Sequence, residues 1–110
     1  MPKAVMVVLS QPADPSREDE YNEWYDNVHI PEVCDIPGFV GARRFKVSDA
    51  GPLPVDPAAP AYLAIYELDS ENPAATCQEL TVRSADGRMH MSDVLSMEPL
   101  PSAILYEALD

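Results

Sequence analysis

The apolar residues of this chain recur with two different periods, and the switches between them mark the elements. Lys3 to Ser10 is a short apolar run in which Val5, Val7 and Val8 are β-branched, the pattern of a strand. Gln11 to Pro15 reads as a turn. Ser16 then predicts a helix N-cap, with Asp19 in the capping-box position. Tyr21, Trp24, Tyr25 and Val28 follow at i, i+3, i+4 and i+7, one face of an amphipathic helix. Pro31 has no amide hydrogen to give the preceding turn, so the helix is expected to break or restart near Ile30. A short helical turn through Asp35 would end at Pro37-Gly38.

Phe39 to Val47 reads as a second strand. Strict alternation puts Phe39, Gly41, Arg43, Phe45 and Val47 on one face, and Val40, Ala42, Arg44 and Lys46 on the other. Residues 49–60 hold four prolines and almost no large apolar groups, so they form a long surface loop, the best candidate for a mobile or lid-like segment. Tyr62 to Leu68 alternates again as a third strand. Asn72-Pro73 opens a second helix and Gly87 ends it, with a narrow apolar stripe of Ala74, Cys77, Leu80 and Ser84. Arg88 to Met97 is a connection in which Ser92 caps one short turn, and Ala103 to Leu109 is the last strand.

The order β-α-β-β-α-β is the split β-α-β of an α+β, ferredoxin-like domain with a four-stranded antiparallel sheet, and residues 1–110 make one such domain. Right-handed crossovers place both helices on one sheet face. In the third strand Tyr62, Ala64, Tyr66 and Leu68 oppose Leu63 and Ile65, so the strand is apolar on both faces. A sheet covered on one side only would expose a large apolar patch, the mark of an interface. A homodimer joined sheet to sheet is expected.

Charge narrows the partners. The formal net charge of −12 offers little to neutralise phosphates, which excludes nucleic acid and disfavours anionic membranes. Glu18, Asp19, Glu20, Glu23 and Asp26 read as the solvated face and first turns of a helix, where negative charge meets the dipole favourably, rather than as a metal cluster. Cys34 and Cys77 form neither a disulfide framework nor a zinc motif. The apolar stretch Ala4 to Leu9 is too short to span a membrane and lacks the cleavage region of a signal peptide. A cytoplasmic location with both thiols reduced is the expectation.

The run Tyr21-Asn-Glu-Trp-Tyr-Asp-Asn-Val-His-Ile-Pro-Glu-Val33, followed by Ile36-Pro-Gly-Phe-Val40 and Arg43-Arg-Phe45, resembles the EthD-like branch of the dimeric α+β barrel superfamily. Tyr62 to Leu68 is similar to the third strand of that branch, so the resemblance covers most of the chain. It implies a homodimeric barrel with a small-molecule pocket between each sheet and its own helices. The superfamily mixes cofactor-independent monooxygenases, lactone isomerases, polyketide cyclases and haem enzymes, so fold does not fix chemistry.

Among residues able to do chemistry, His29 stands out. It lies at the edge of the aromatic stripe, one turn after Tyr25, and titrates near neutrality as a general acid or base. Asp26, three residues earlier, is placed to hold its ring and favour the imidazolium. The other reading makes His29 a structural group bonded to a backbone carbonyl at the helix break; resemblance to the H-x-P site of the family supports the catalytic one. Tyr25, Tyr62 and Tyr66 are phenols that donate to a ligand oxygen or simply pack in the core. Trp24 and Phe45 are candidate pocket walls. Arg43 and Arg44 face opposite sides of their strand, and a buried one needs Glu67, Glu107 or a ligand anion as partner. His90 touches ligand only if the connection carrying it folds over the pocket.

These residues describe a small-molecule enzyme using neither metal nor organic cofactor. It would act on an apolar cyclic or aromatic compound by acid–base chemistry, isomerase-like or cyclase-like, in a catabolic or secondary-metabolite pathway. His29, Asp26 and Tyr25 would be catalytic, and Trp24, Tyr66, Tyr62, Phe45, Arg44 and His90 substrate-binding. The alternatives are a non-catalytic ligand-binding accessory protein and a haem- or oxygen-using enzyme with His29 as ligand.

Overall fold

The computed structural model describes residues 3–109 and pairs four strands into one sheet: β1 (Lys3–Ser10), β2 (Phe39–Lys46), β3 (Tyr62–Asp69) and β4 (Ser102–Glu107). The order is β2-β3-β1-β4, and every neighbouring pair is antiparallel. The two central strands are thus the ones richest in apolar residues. Ala4 and Met6 of β1 and Tyr62, Ala64, Tyr66 and Leu68 of β3 are buried beneath the helices. This is the α+β, ferredoxin-like sheet that the pattern of elements predicts.

The first helical segment starts earlier than Ser16. The Asp14 side chain accepts from the Ser16 amide at 2.9 Å, and Pro15 opens a 3-10 turn, Pro15–Arg17, ahead of α1 (Glu18–Trp24). A proline fits this first position because its missing N–H needs no partner there. Nor does the helix break at Ile30. A π-turn over Tyr25–His29 follows α1 directly, the Ile30 amide reaches back to the Tyr25 carbonyl, and α2 (Ile30–Cys34) continues through Pro31. The wider turn accommodates a ring that would otherwise crowd the preceding carbonyl, so the proline is absorbed as a π-bulge.

Strict alternation also fails in β2. Phe39 pairs with Leu68 and Gly41 with Glu67, leaving Val40 as an extra, exposed residue. Phe39 therefore joins Ala42 and Arg44 on the helix-covered face, while Gly41, Arg43 and Phe45 turn to the other. The second helix, α3 (Pro73–Ala85), is capped by the Asn72 side chain, which accepts from the Ala75 amide at 3.1 Å. Its inward stripe runs through Pro73, Thr76, Cys77 and Leu80, and Ala74 faces solvent.

The connection after α3 contributes more than its sequence suggests. Met89, Val94, Leu95 and Ser96 are buried, and backbone bonds from Ala13 to Val94 (2.7 Å) and from Ser96 to Gln11 (3.0 Å) stitch it across the end of the sheet. The Ser92 hydroxyl accepts from the Val94 amide at 3.2 Å, capping the turn there. Opposite the helices, Val5, Val7, Leu9, Phe45, Leu63, Ile65, Ile104 and Tyr106 share a face that no described element covers. Residues 49–59 are exposed throughout. Among the described residues no helix is long and apolar enough to cross a membrane.

Candidate active site between the sheet and the helices

The π-turn decides what His29 meets. It stacks the imidazole on Trp24, with ring centroids 4.8 Å apart and planes inclined by 22°, and sets it edge-on to Tyr25 at 5.1 Å. Beneath these rings lies a cavity of about 170 Å³. Met6 and Val8 of β1, Tyr66 of β3 and Ala103 of β4 form its floor, with Tyr25, His29 and Val33 above. Leu80 and Ser84 of α3 and Met91 and Leu95 of the stitched connection close the sides. The walls are mostly apolar, with a few hydroxyl groups and one imidazole, the composition of a small-molecule pocket.

His29 finds no hydrogen-bond partner among the described residues, and its Nδ1 is buried. Burial disfavours the charged ring and drives its pKa down to about 4, against an upward pull from the Glu32 carboxylate. The imidazole is thus neutral at pH 7, an acceptor rather than an acid. This reverses the expected imidazolium. Asp26 does not hold the ring: its carboxylate accepts from Arg44 at 2.9 Å and remains 58% exposed. The π-turn carries the two side chains further apart around the axis than an α-turn would, which is why a spacing of three fails here.

The tyrosines divide. Tyr66 donates to the Tyr25 hydroxyl at 3.4 Å inside the cavity wall, and burial raises the pKa of both phenols, so each keeps its proton near neutrality. Tyr25 lines the cavity beside Ser10, where its hydroxyl can turn to a ligand. Tyr62 is drawn elsewhere: its hydroxyl donates to Glu18 and accepts from Asn22, and it is not a cavity wall. Tyr21, the most buried residue of the stripe, shares a 2.6 Å bond with Ser10.

Of the remaining candidates, Trp24 backs the His29 ring, and its indole donates to the His90 carbonyl at 2.9 Å. Arg44, on the helix-covered face, sits behind Tyr25 rather than in the cavity, paired with Asp26 and Asn22 and not with Glu67 or Glu107. Phe45 lies on the far face of the sheet, 40% exposed beneath the Arg43 guanidinium, because the bulge at Val40 sets the parity of β2. The ring of His90 points to Glu32 (Nδ1 to Oε2, 2.5 Å) and its side chain is 82% exposed, so it anchors the connection while Met91 reaches the cavity. Sequence reasoning passed over Met6, Val8 and Ala103. Alternation on a strand marks them as one-sided, but only register puts them beneath His29.

No group of three or more His, Cys, Asp or Glu converges among the described residues. Three of the five acids in the run are occupied by cations: Glu18 by Lys46 at 3.0 Å, Glu20 by Arg17 at 2.8 Å and Asp26 by Arg44. A haem does not fit the cavity as it stands. A void of about 150 Å³ holds a benzene ring, and sites for larger ligands run to ~300 Å³ and more.

No family model and no curated protein sequence matches this chain. Solved structures do share its fold. The haem degrader MhuD from Mycobacterium tuberculosis, solved with two haems in its active site, is 14% identical with a TM-score of 0.63, over 96% of this chain and 95% of that one. An EthD-like protein from Ralstonia eutropha JMP134 is 15% identical with a TM-score of 0.54, over 100% and 96%. A dimeric ferredoxin-like protein of unknown function from Thermobifida fusca YX is 10% identical with a TM-score of 0.53, over 97% and 92%. Sheet order, helix placement and these likenesses agree: the chain has the ferredoxin-like α+β fold that these proteins share.

Proposed function

We propose that this chain is a cofactor-independent acid–base enzyme, working as a homodimer, whose cavity takes a mostly apolar one-ring compound bearing an acidic C–H next to a carbonyl, or a phenol or enol O–H. The observation that carries this reading is the unpartnered, buried Nδ1 of His29 on a ring that faces the same small cavity as the Tyr25 side chain. His29 accepts the proton from the substrate. The bonding electron pair moves onto the substrate oxygen, and the Tyr25 hydroxyl donates a hydrogen bond to the charge developing there. Return of the proton to a different atom gives an isomer or a closed ring with no oxidant or reductant consumed. Asp26 does not orient the base in this scheme. Its role passes to the Trp24 stack, which fixes the plane of the imidazole.

Likeness to a haem degrader favours one second reading, in which neutral His29 ligates a haem iron. That reading requires Met91 and its neighbours to swing away, since the cavity as it stands is too small. A thermal-shift screen of one-ring phenols and cyclic enones separates the two. A ligand present at a hundred times its Kd stabilises the fold by ~2.7 kcal/mol, a rise of several degrees. For any compound that binds, hydrogen exchange with D2O at the acidic position is followed by NMR. The expected result is exchange that His29→Gln abolishes while the thermal shift persists. Binding without exchange makes the chain a ligand carrier. No stabilisation by any one-ring compound, together with a Soret band on adding haem, replaces the proposal with the haem reading.

A further inference from the structure

Arg44 is the one guanidinium buried among the aromatic rings behind the cavity. Its side chain is 11% exposed, and its carbon Cζ lies 4.4 Å from the centre of the Tyr25 ring, 5.2 Å from Tyr62 and 5.4 Å from Tyr21. Two bonds hold it there, to Asp26 at 2.9 Å and to the Asn22 side-chain oxygen at 2.8 Å, and its Nε is buried without a partner. Packing alone does not call for such a group. A buried charge is costly to desolvate, and a methionine of similar length would fill the space.

Lys46 and Glu18, beside Tyr62, neutralise each other at 3.0 Å. Among the described residues Asp26 is the only carboxylate on the guanidinium, and it is 58% exposed, so water weakens its field without removing it. On the far side of Tyr25 lie Tyr66 and His29, both uncharged near neutrality. Positive potential therefore remains at the face of the Tyr25 ring, in an otherwise strongly acidic protein.

We propose that Arg44 is a positioning residue acting through Tyr25: its guanidinium, seated on the ring face, strengthens the Tyr25 hydroxyl as a donor and selects ligands whose oxygen is, or becomes, anionic. This deepens the reading above and rests on it, naming the substrate class as a phenol or enol whose oxygen becomes anionic as His29 takes the proton. A cation against the π-face withdraws electron density from the ring and favours negative charge on the phenol oxygen and on whatever that oxygen touches. The same field opposes the upward push that burial gives the Tyr25 phenol.

The test begins without ligand. Tyrosine labelled with 13C at the ζ carbon is titrated in alkali by NMR, with Tyr25→Phe assigning the signal. Arg44→Met is expected to raise the Tyr25 pKa by about one unit or more, and Arg44→Lys to restore part of it. Asp26→Asn, at the exposed end of the pair, is expected to move it the opposite way. That opposition of sign is what a packing role would not produce, and it decides the matter should Arg44→Met fail to fold. A Tyr25 signal unmoved by the Asp26 and Arg44 changes overturns the proposal. The second arm compares 4-nitrophenolate with 4-nitrotoluene, where Arg44→Met is expected to cost the phenolate roughly tenfold in affinity and the neutral compound nothing. If the phenol signal responds but the parent binds neither compound, the coupling of Arg44 to Tyr25 stands and the ligand reading of the cavity fails.

Discussion

His29 shows how little of a residue's chemistry lies in its own side chain. Stacked on Trp24 and partly desolvated, it has its pKa lowered from 6.5 to about 4. Its proton binding is therefore stronger in the unfolded chain than in the fold, and stability must rise with pH between those two values. The contribution is complete above about pH 6.5 and is lost as acid protonates the ring, amounting to up to ~3 kcal/mol at this shift. Urea midpoints at pH 7 and pH 4.5 should differ markedly in the parent and much less in His29→Gln. Trp24, the sole tryptophan, offers a second readout, since a stacked imidazolium quenches its emission. An acid-dependent slope that survives in His29→Gln would place the effect elsewhere. The helical spacing put His29 beside Tyr25 correctly, yet it misassigned Asp26, because a spacing argument assumes a turn of ordinary width.

Two irregular elements aim the site, and neither leaves a signature in the hydrophobic period. The π-turn before Pro31 sets the His29 ring, and the bulge at Val40 sends Arg44 inward and Phe45 outward. A third special position, Gly38, joins α2 to β2 at φ 107°, and a Cβ built there would meet Thr76 at 2.8 and 2.9 Å. Thr76 cannot retreat easily, because its hydroxyl is bonded to Ser70 at 2.8 Å and its helix begins just before it. Gly87, at φ 87°, has nothing within 4 Å of the same built atom. Both Gly→Ala changes therefore bear a backbone cost of about 1–2 kcal/mol, and Gly38→Ala adds an overpacking cost of ~1–3 kcal/mol. Denaturant melts of the two variants should order them clearly, with Gly38→Ala the less stable. Equal losses would mean that α3 yields at Thr76.

At the scale of the whole molecule, the open sheet face remains. Ile65, Val7 and Ile104 sit side by side across β3, β1 and β4, with Leu9 and Leu63 next along and Tyr106 beyond Val5. A row of this kind in water is a patch that a second copy would cover, and ~800 Å² per partner makes a standard interface. Sedimentation equilibrium should find a dimer at micromolar concentration and a folded monomer for Ile65→Lys. With −12 on each chain, the copies also repel, so added salt should tighten the dimer rather than loosen it. A monomeric parent at high salt would remove the barrel argument.

By itself the sequence determined the order of elements, the ferredoxin-like sheet and the aromatic helix face from which Tyr25 and His29 reach the cavity. Those follow from hydrophobic period and turn residues, which act between near neighbours in the chain and so are written locally. Tertiary structure alone decided that Asp26 meets Arg44, that Phe45 and His90 point away from the cavity, and that Met91 and Leu95 close it. It also decided that His29 is neutral. Register, bulges and desolvation depend on residues brought together from distant parts of the chain, and no local pattern fixes which of them will meet.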